Sequence, residues 1–131
     1  MQVMPFTGRD IARRLGEKGF KTDWLNDPET SIRYGCYYLR GRMDDFHVKG
    51  DNPAAWLETT AKALGAYNAG PGRVRTWSKR ADKLGLDTPA FVEEIPITET
   101  RNYIKRILRF YLVYLYTYPP NQYTPGTEKT Q

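Results

Sequence analysis

Apolar residues in this sequence recur three or four positions apart, and no stretch alternates strictly between apolar and polar. That spacing places side chains on one face of a helix, whereas a half-buried strand needs a period of two. The chain is therefore expected to be all-α. The clearest case is the stretch after Asp27, where Ile32, Cys36, Leu39, Met43 and Phe46 fall on one face. Asp27 is a natural N-cap, Pro28 suits the first helical turn, and Glu29 complements the positive end of the helix. A stripe of five apolar side chains needs a partner surface elsewhere in the chain.

Punctuation residues set the other boundaries. Thr7 can cap a short first helix with Ile11 and Leu15 facing inward and Gly16 ending it. Gly50-Asp51-Asn52-Pro53 is a turn that opens a helix packed through Trp56, Leu57, Thr60, Ala61 and Leu64. Gly70-Pro71-Gly72 ends that helix, and a short basic helix carrying Val74 and Trp77 follows. Thr88-Pro89 starts another short helical turn that Pro96 breaks, and Thr98 can cap a long last helix whose buried side is Ile104, Ile107, Leu108, Tyr111, Leu112 and Leu115. Residues 1–118 are expected to form one domain. Residues 119–131, rich in Pro, Thr, Asn and Gln, are expected to be a disordered C-terminal tail.

Composition closes off several classes of function. With 131 residues there is room for one core. No apolar run approaches the roughly 20 residues that a bilayer crossing needs, so no membrane span is expected. One cysteine, Cys36, and one histidine, His47, cannot supply the nitrogen and sulfur ligands of an ordinary zinc site, so no structural metal is expected. The Cys36 thiol, among Ile32, Leu39 and Met43, is expected to be buried. A net charge of +5 and a pI near 9.3 favour polyanions in general. The cations crowd Arg73 to Lys83 and Arg101 to Arg109, where a solvated helix face accounts for them without nucleic acid.

Four stretches carry a resemblance: Met1-Gln2-Val3-Met4-Pro5; Asp27-Pro28-Glu29-Thr30-Ser31-Ile32; Ala66-Tyr67-Asn68-Ala69-Gly70-Pro71-Gly72; and Phe91-Val92-Glu93-Glu94-Ile95-Pro96 leading into Glu99-Thr100-Arg101-Asn102-Tyr103. In this order and at these separations the sequence resembles the soluble lytic transglycosylase (SLT) domain of the lysozyme-like superfamily, related to goose-type lysozyme. The resemblance implies a helical domain that cleaves the β-1,4 bond between N-acetylmuramic acid and N-acetylglucosamine in peptidoglycan. The product is a 1,6-anhydro sugar, formed without addition of water and without a cofactor.

In that family one glutamate protonates the leaving oxygen and then takes the proton from the muramic C6 hydroxyl. It stands upstream of the Met-Gln-x-Met-Pro block, which here opens the sequence, so the resemblance implies a chain truncated at its N-terminus, with no catalytic residue of its own and inactive alone. For substrate binding it implies Gln2 and Met4 beside the catalytic pocket, Tyr67 and Asn68 on the facing wall, Glu93 along the groove, and Tyr103 opening the last helix. Tyr67 and Asn68 can also be read as a helix cap, and Tyr103 with Arg101 as a packing cluster. The implied partner is a peptidoglycan glycan strand in the periplasm or cell envelope. A non-catalytic glycan-binding remnant and a basic nucleic-acid-binding protein are the alternatives. Loss of the covering segment would expose apolar surface and allow self-association.

Overall fold

Proline and short polar caps set where the helices begin. The computed structural model describes residues 3–119. Among them are six α-helices, one short 3-10 helix and no strand. Helix α1 spans Pro5–Arg14, the 3-10 helix Thr22–Asn26, α2 Pro28–Asp45, α3 Pro53–Ala69, α4 Pro71–Leu84, α5 Thr88–Glu93 and α6 Thr98–Thr117. Asp27 caps α2 by accepting from the Thr30 amide at 2.8 Å, Asn52 caps α3 from Ala55 at 3.0 Å, and Asp87 caps α5 from Ala90 at 2.9 Å. Each cap is followed by a proline in the first turn, where a missing N–H costs nothing.

Helix α3 is the hub, packing against α2, α4, α5 and α6. Its small residues make this possible. Ala61, Ala63, Gly65 and Ala66 are all buried, and a Cβ on Gly65 would stand 3.3 Å from Val74 Cγ2 and 3.5 Å from Ile104 Cδ1. The main core gathers Leu64, Val74, Phe91, Val92, Ile95 and Ile104 around that helix. A second, smaller core of Val3, Ile11, Ala12 and Tyr34 joins α1 to α2, with Phe20, Leu25 and Tyr38 packed on it. At Gly70 the backbone adopts φ 90°, a conformation L-residues avoid, and the chain turns from α3 into α4.

Several expectations need correction. Helix α1 starts at Pro5 with no side-chain cap, because the fixed φ of proline suits the first turn, so Thr7 lies inside the helix. Leu15 is 38% exposed, since the chain leaves the helix there and reverses at Gly16. Thr98 opens α6 but does not cap it. On α2 the Leu39, Met43 and Phe46 end of the apolar stripe is partly covered, while Ile32 is 55% exposed and Cys36 is exposed rather than buried. The cause is phase: Tyr34 and Gly35, which lie between Ile32 and Cys36, are the buried residues of α2, so the covered face is rotated from the expected stripe toward Tyr34 and Tyr38. Helix α6 outruns the core: Ile104 is fully buried and Ile107 and Leu108 are partly covered, but Tyr111 and Leu112 are 41% and 64% exposed. Trp56, expected to pack inward, is also exposed and stacks on Tyr111 with ring centroids 5.1 Å apart. The tail beyond Pro119 lies outside the described residues.

The small core is tied to one carboxylate. Glu17 accepts from the Tyr34 hydroxyl and from Arg33, and these bonds, led by the Arg33 guanidinium, hold its pKa below the ordinary range. A carboxylate with a depressed folded pKa stabilises the fold above its unfolded pKa and loses that contribution as pH falls through the folded value. Acid unfolding of the wild type is therefore expected to begin below about pH 4.3, the unperturbed glutamate value. Glu17→Gln should flatten the stability change between that pH and more acidic conditions, which thermal melts at stepped pH will show.

Candidate glycan-binding groove

Three helices bring tyrosines together at one end of the α2–α3 pair. Tyr38 from α2 meets Tyr67 from α3 edge to face, with centroids 5.4 Å apart. Tyr67 and Tyr103 from α6 lie nearly parallel, at 10° and 6.5 Å. Burial disfavours the phenolate, so the Tyr67 hydroxyl is pushed up to about 12 and that of Tyr103 is also raised, leaving both phenols protonated at neutral pH. The Tyr67 hydroxyl is itself buried without a hydrogen-bond partner in the protein. Arg42 lies 4.7 Å from the centre of the Tyr38 ring and pairs with Asp45 at 3.0 Å, which fixes the third tyrosine from its far side.

Asn68 is exposed beside Tyr67, and its Oδ1 accepts from the Thr100 hydroxyl at 2.5 Å. Its side chain thus bridges to α6 rather than capping its own helix, where the Gly70 amide bonds to the Ala66 carbonyl. Arg101 donates through one nitrogen to the carbonyls of Glu93 and Ile95, both at 3.1 Å, and so fastens the end of α5 to the start of α6. Glu93 is exposed and ion-paired with Lys105.

The structure therefore brings Tyr67 and Tyr103 into ring contact, ties Asn68 to Thr100 on the helix that carries Tyr103, and fastens the main chain at Glu93 to the same helix through Arg101. Met4 is 65% exposed at the start of α1 and belongs to the α1 side, which reaches the tyrosines through Tyr38. Gln2 lies outside the described residues. Sequence reasoning passed over Tyr38 and Thr100. For Tyr38 a signal existed in Gly35, which is buried three residues earlier on the same side of α2 and marks close helix approach. A concavity of about 390 Å³ between α3, α4 and α5, lined by Glu58, Lys62, Asp82 and Phe91, contains none of these site residues. Among the described residues no three His, Cys, Asp or Glu side chains converge as a metal site would require.

Half-buried aromatic rings near an exposed carboxamide are groups that can contact a sugar, whose C–H faces stack on aromatics and whose polar substituents hydrogen-bond. The family model described as the transglycosylase SLT domain matches residues 1–88, which include Tyr38, Tyr67 and Asn68. The chain belongs to the SLT transglycosylase family. This SLT domain is 39% identical over 117 residues to the soluble lytic murein transglycosylase of Escherichia coli, covering 88% of this chain and 16% of that protein. It is 38% identical over 111 residues to the Salmonella typhimurium protein of the same name, covering 84% of this chain and 16% of that one. It is 34% identical over 84 residues to the membrane-bound lytic murein transglycosylase F of Shewanella woodyi, covering 61% of this chain and 16% of that protein. The SLT domain thus spans about one sixth of the length of these relatives. No solved structure matches it. Its fold is the expected helical, lysozyme-like one.

The basic surface of the SLT domain is partly neutralised from within. Arg80 faces Glu94 at 3.9 Å, Arg75 faces Asp45 at 3.9 Å, and Lys105 pairs with Glu93. Among the described residues no helix is long and apolar enough to cross a membrane.

Proposed function

We propose that this SLT domain grips the glycan strand of peptidoglycan in a lytic transglycosylase of the cell envelope, which cleaves the bond between N-acetylmuramic acid and N-acetylglucosamine to leave a 1,6-anhydro end. The observation that carries the reading is the parallel Tyr67–Tyr103 pair, with Asn68 next to Tyr67 on α3 and bonded to Thr100 on α6. In this reading Met4 borders the cleft from the α1 side, Glu93 lines its opposite rim, and Gln2 is a further substrate contact by family resemblance. The curated relatives, named as murein transglycosylases, support the substrate class.

The reaction needs an acid held protonated near neutral pH until the glycosidic oxygen takes its proton. As the C1–oxygen bond breaks, the C6 hydroxyl oxygen closes on C1, and the same carboxylate recovers a proton from it, so no water is consumed. The carboxylates that depart from ordinary acidity among the described residues, Asp10, Glu17 and Asp27, are all held in the charged form by arginines or backbone amides. Glu93 is exposed and ion-paired, which is unfit for that work. The reading therefore assigns the acid to a glutamate outside residues 3–119, and takes the exposed Ile32, Leu112 and Val113 as faces that such a segment covers or through which the chain alone self-associates.

The test is digestion of purified peptidoglycan followed by mass spectrometry. The chain of residues 1–131 is expected to release no anhydro-muropeptides yet to bind the glycan, while a version extended upstream through a glutamate-bearing helix releases them. Anhydro products from residues 1–131 alone would overturn the assignment of the acid. Absence of glycan binding would instead favour a fold kept without the groove's function.

A further inference from the structure

Thr100 is an unusual residue to bury in the first turn of a helix. It is 1% exposed, and its hydroxyl donates to Asn68 Oδ1 at 2.5 Å across the α3–α6 junction. A separation of that size lies in the O–H···O range and below the usual N–H···O range, so the oxygen of the carboxamide faces Thr100. The two ends of a carboxamide have opposite polarity: the oxygen accepts and the nitrogen donates. With the oxygen committed to α6, the Nδ2 of this exposed side chain, one residue along α3 from Tyr67, is left to donate to a ligand.

We infer that Thr100 is a positioning residue that fixes the polarity of Asn68, so that the groove selects sugars offering an acceptor, the carbonyl of an N-acetyl group, over sugars carrying a free amine. The inference rests on the glycan-binding reading above. An N-acetyl carbonyl completes a hydrogen bond with the fixed Nδ2. A glucosamine ammonium is donor-only, so it cannot pair with the fixed Nδ2. A bound sugar shields Nδ2 from water, so a sugar that offers it no acceptor removes its hydration and returns nothing, which makes the discrimination one-sided. The same hydroxyl explains why threonine rather than an apolar residue occupies a site this closed: valine fits the space but leaves the carboxamide free to flip.

The experiment is calorimetric titration of the chain with two tetramers, one of N-acetylglucosamine and one of glucosamine. The wild type is expected to prefer the acetylated tetramer by about tenfold or more, the value of roughly one well-made hydrogen bond. Thr100→Val should lose most of that ratio and Thr100→Ser should keep it. Asn68→Asp, which turns an acceptor outward while still accepting from Thr100, should move the ratio toward the amine. A purely structural Thr100 would lower the melting temperature and weaken both tetramers alike, leaving the ratio unchanged in Thr100→Val, and that result overturns the inference. Should Thr100→Val fail to fold, an unchanged ratio in Asn68→Asp overturns it equally. Failure of the wild type to bind either tetramer would remove the glycan reading itself, whereas tight binding of the acetylated tetramer with invariant ratios would remove only the role of Thr100.

Discussion

Replacing Ile104 by alanine is expected to lower the unfolding free energy by about 2–5 kcal/mol, the range for deleting a buried isoleucine side chain. Ile104 is fully buried where α3, α4 and α6 converge, and its Cδ1 stands 3.5 Å from the position a Cβ on Gly65 would take. Helix α3 has no larger side chain there to collapse into the void, so the cavity term stays near its upper end. Leu112→Ala, on the same helix but 64% exposed, is expected to change stability by less than about 0.5 kcal/mol. Urea unfolding of the two variants measures the contrast. Similar losses in both would mean that the C-terminal half of α6 is covered in solution.

Tyr67→Ala is the second large effect, and it falls on binding. Affinity for an N-acetylglucosamine oligomer is expected to drop by on the order of tenfold or more, as for a central aromatic contact. The variant also loses ring contacts with Tyr38 and Tyr103, about 0.5–1.5 kcal/mol each, so a control is needed. Tyr67→Phe supplies it. The Tyr67 hydroxyl is buried with no protein partner, so its removal should leave stability unchanged or raise it by about 1 kcal/mol. If Tyr67→Phe weakens the oligomer while the protein melts no lower, the hydroxyl contacts the sugar directly. If Tyr67→Ala binds as the wild type does, the ring is packing only. Because the phenol is held at about 12, wild-type binding should show no dependence on this group through neutral pH.

The helices that begin with a cap and a proline could be read from local chemistry, because Asp27-Pro28 and Asn52-Pro53 satisfy the first amides without help from the rest of the chain. The 3-10 helix at Thr22–Asn26 could not, since five residues show no period. Periodicity found both α2 and α6 but misplaced the covered side of α2: Tyr34 and Gly35, between Ile32 and Cys36, are its buried residues, because the second core closes on a tyrosine and a glycine that an apolar count passes over. On α6 it marked Ile104 correctly, whereas Leu112 is exposed although the neighbouring Tyr111 stacks on Trp56 of α3. The candidate site divided in the same way. Tyr67 and Asn68 sit in a motif that marks them, whereas Tyr38 lies outside every such stretch and Thr100, though inside one, takes its partner Asn68 from another helix.

Arg101 holds Glu93 and Ile95 by their carbonyl oxygens, a feature that every amino acid supplies. The exposed side chains of Glu93 and Glu94 can therefore be exchanged without loosening this anchorage, while Ile95 stays in the core. A lineage, or an engineer, can retune the charge presented at Glu93 and Glu94 while the scaffold beneath keeps its shape.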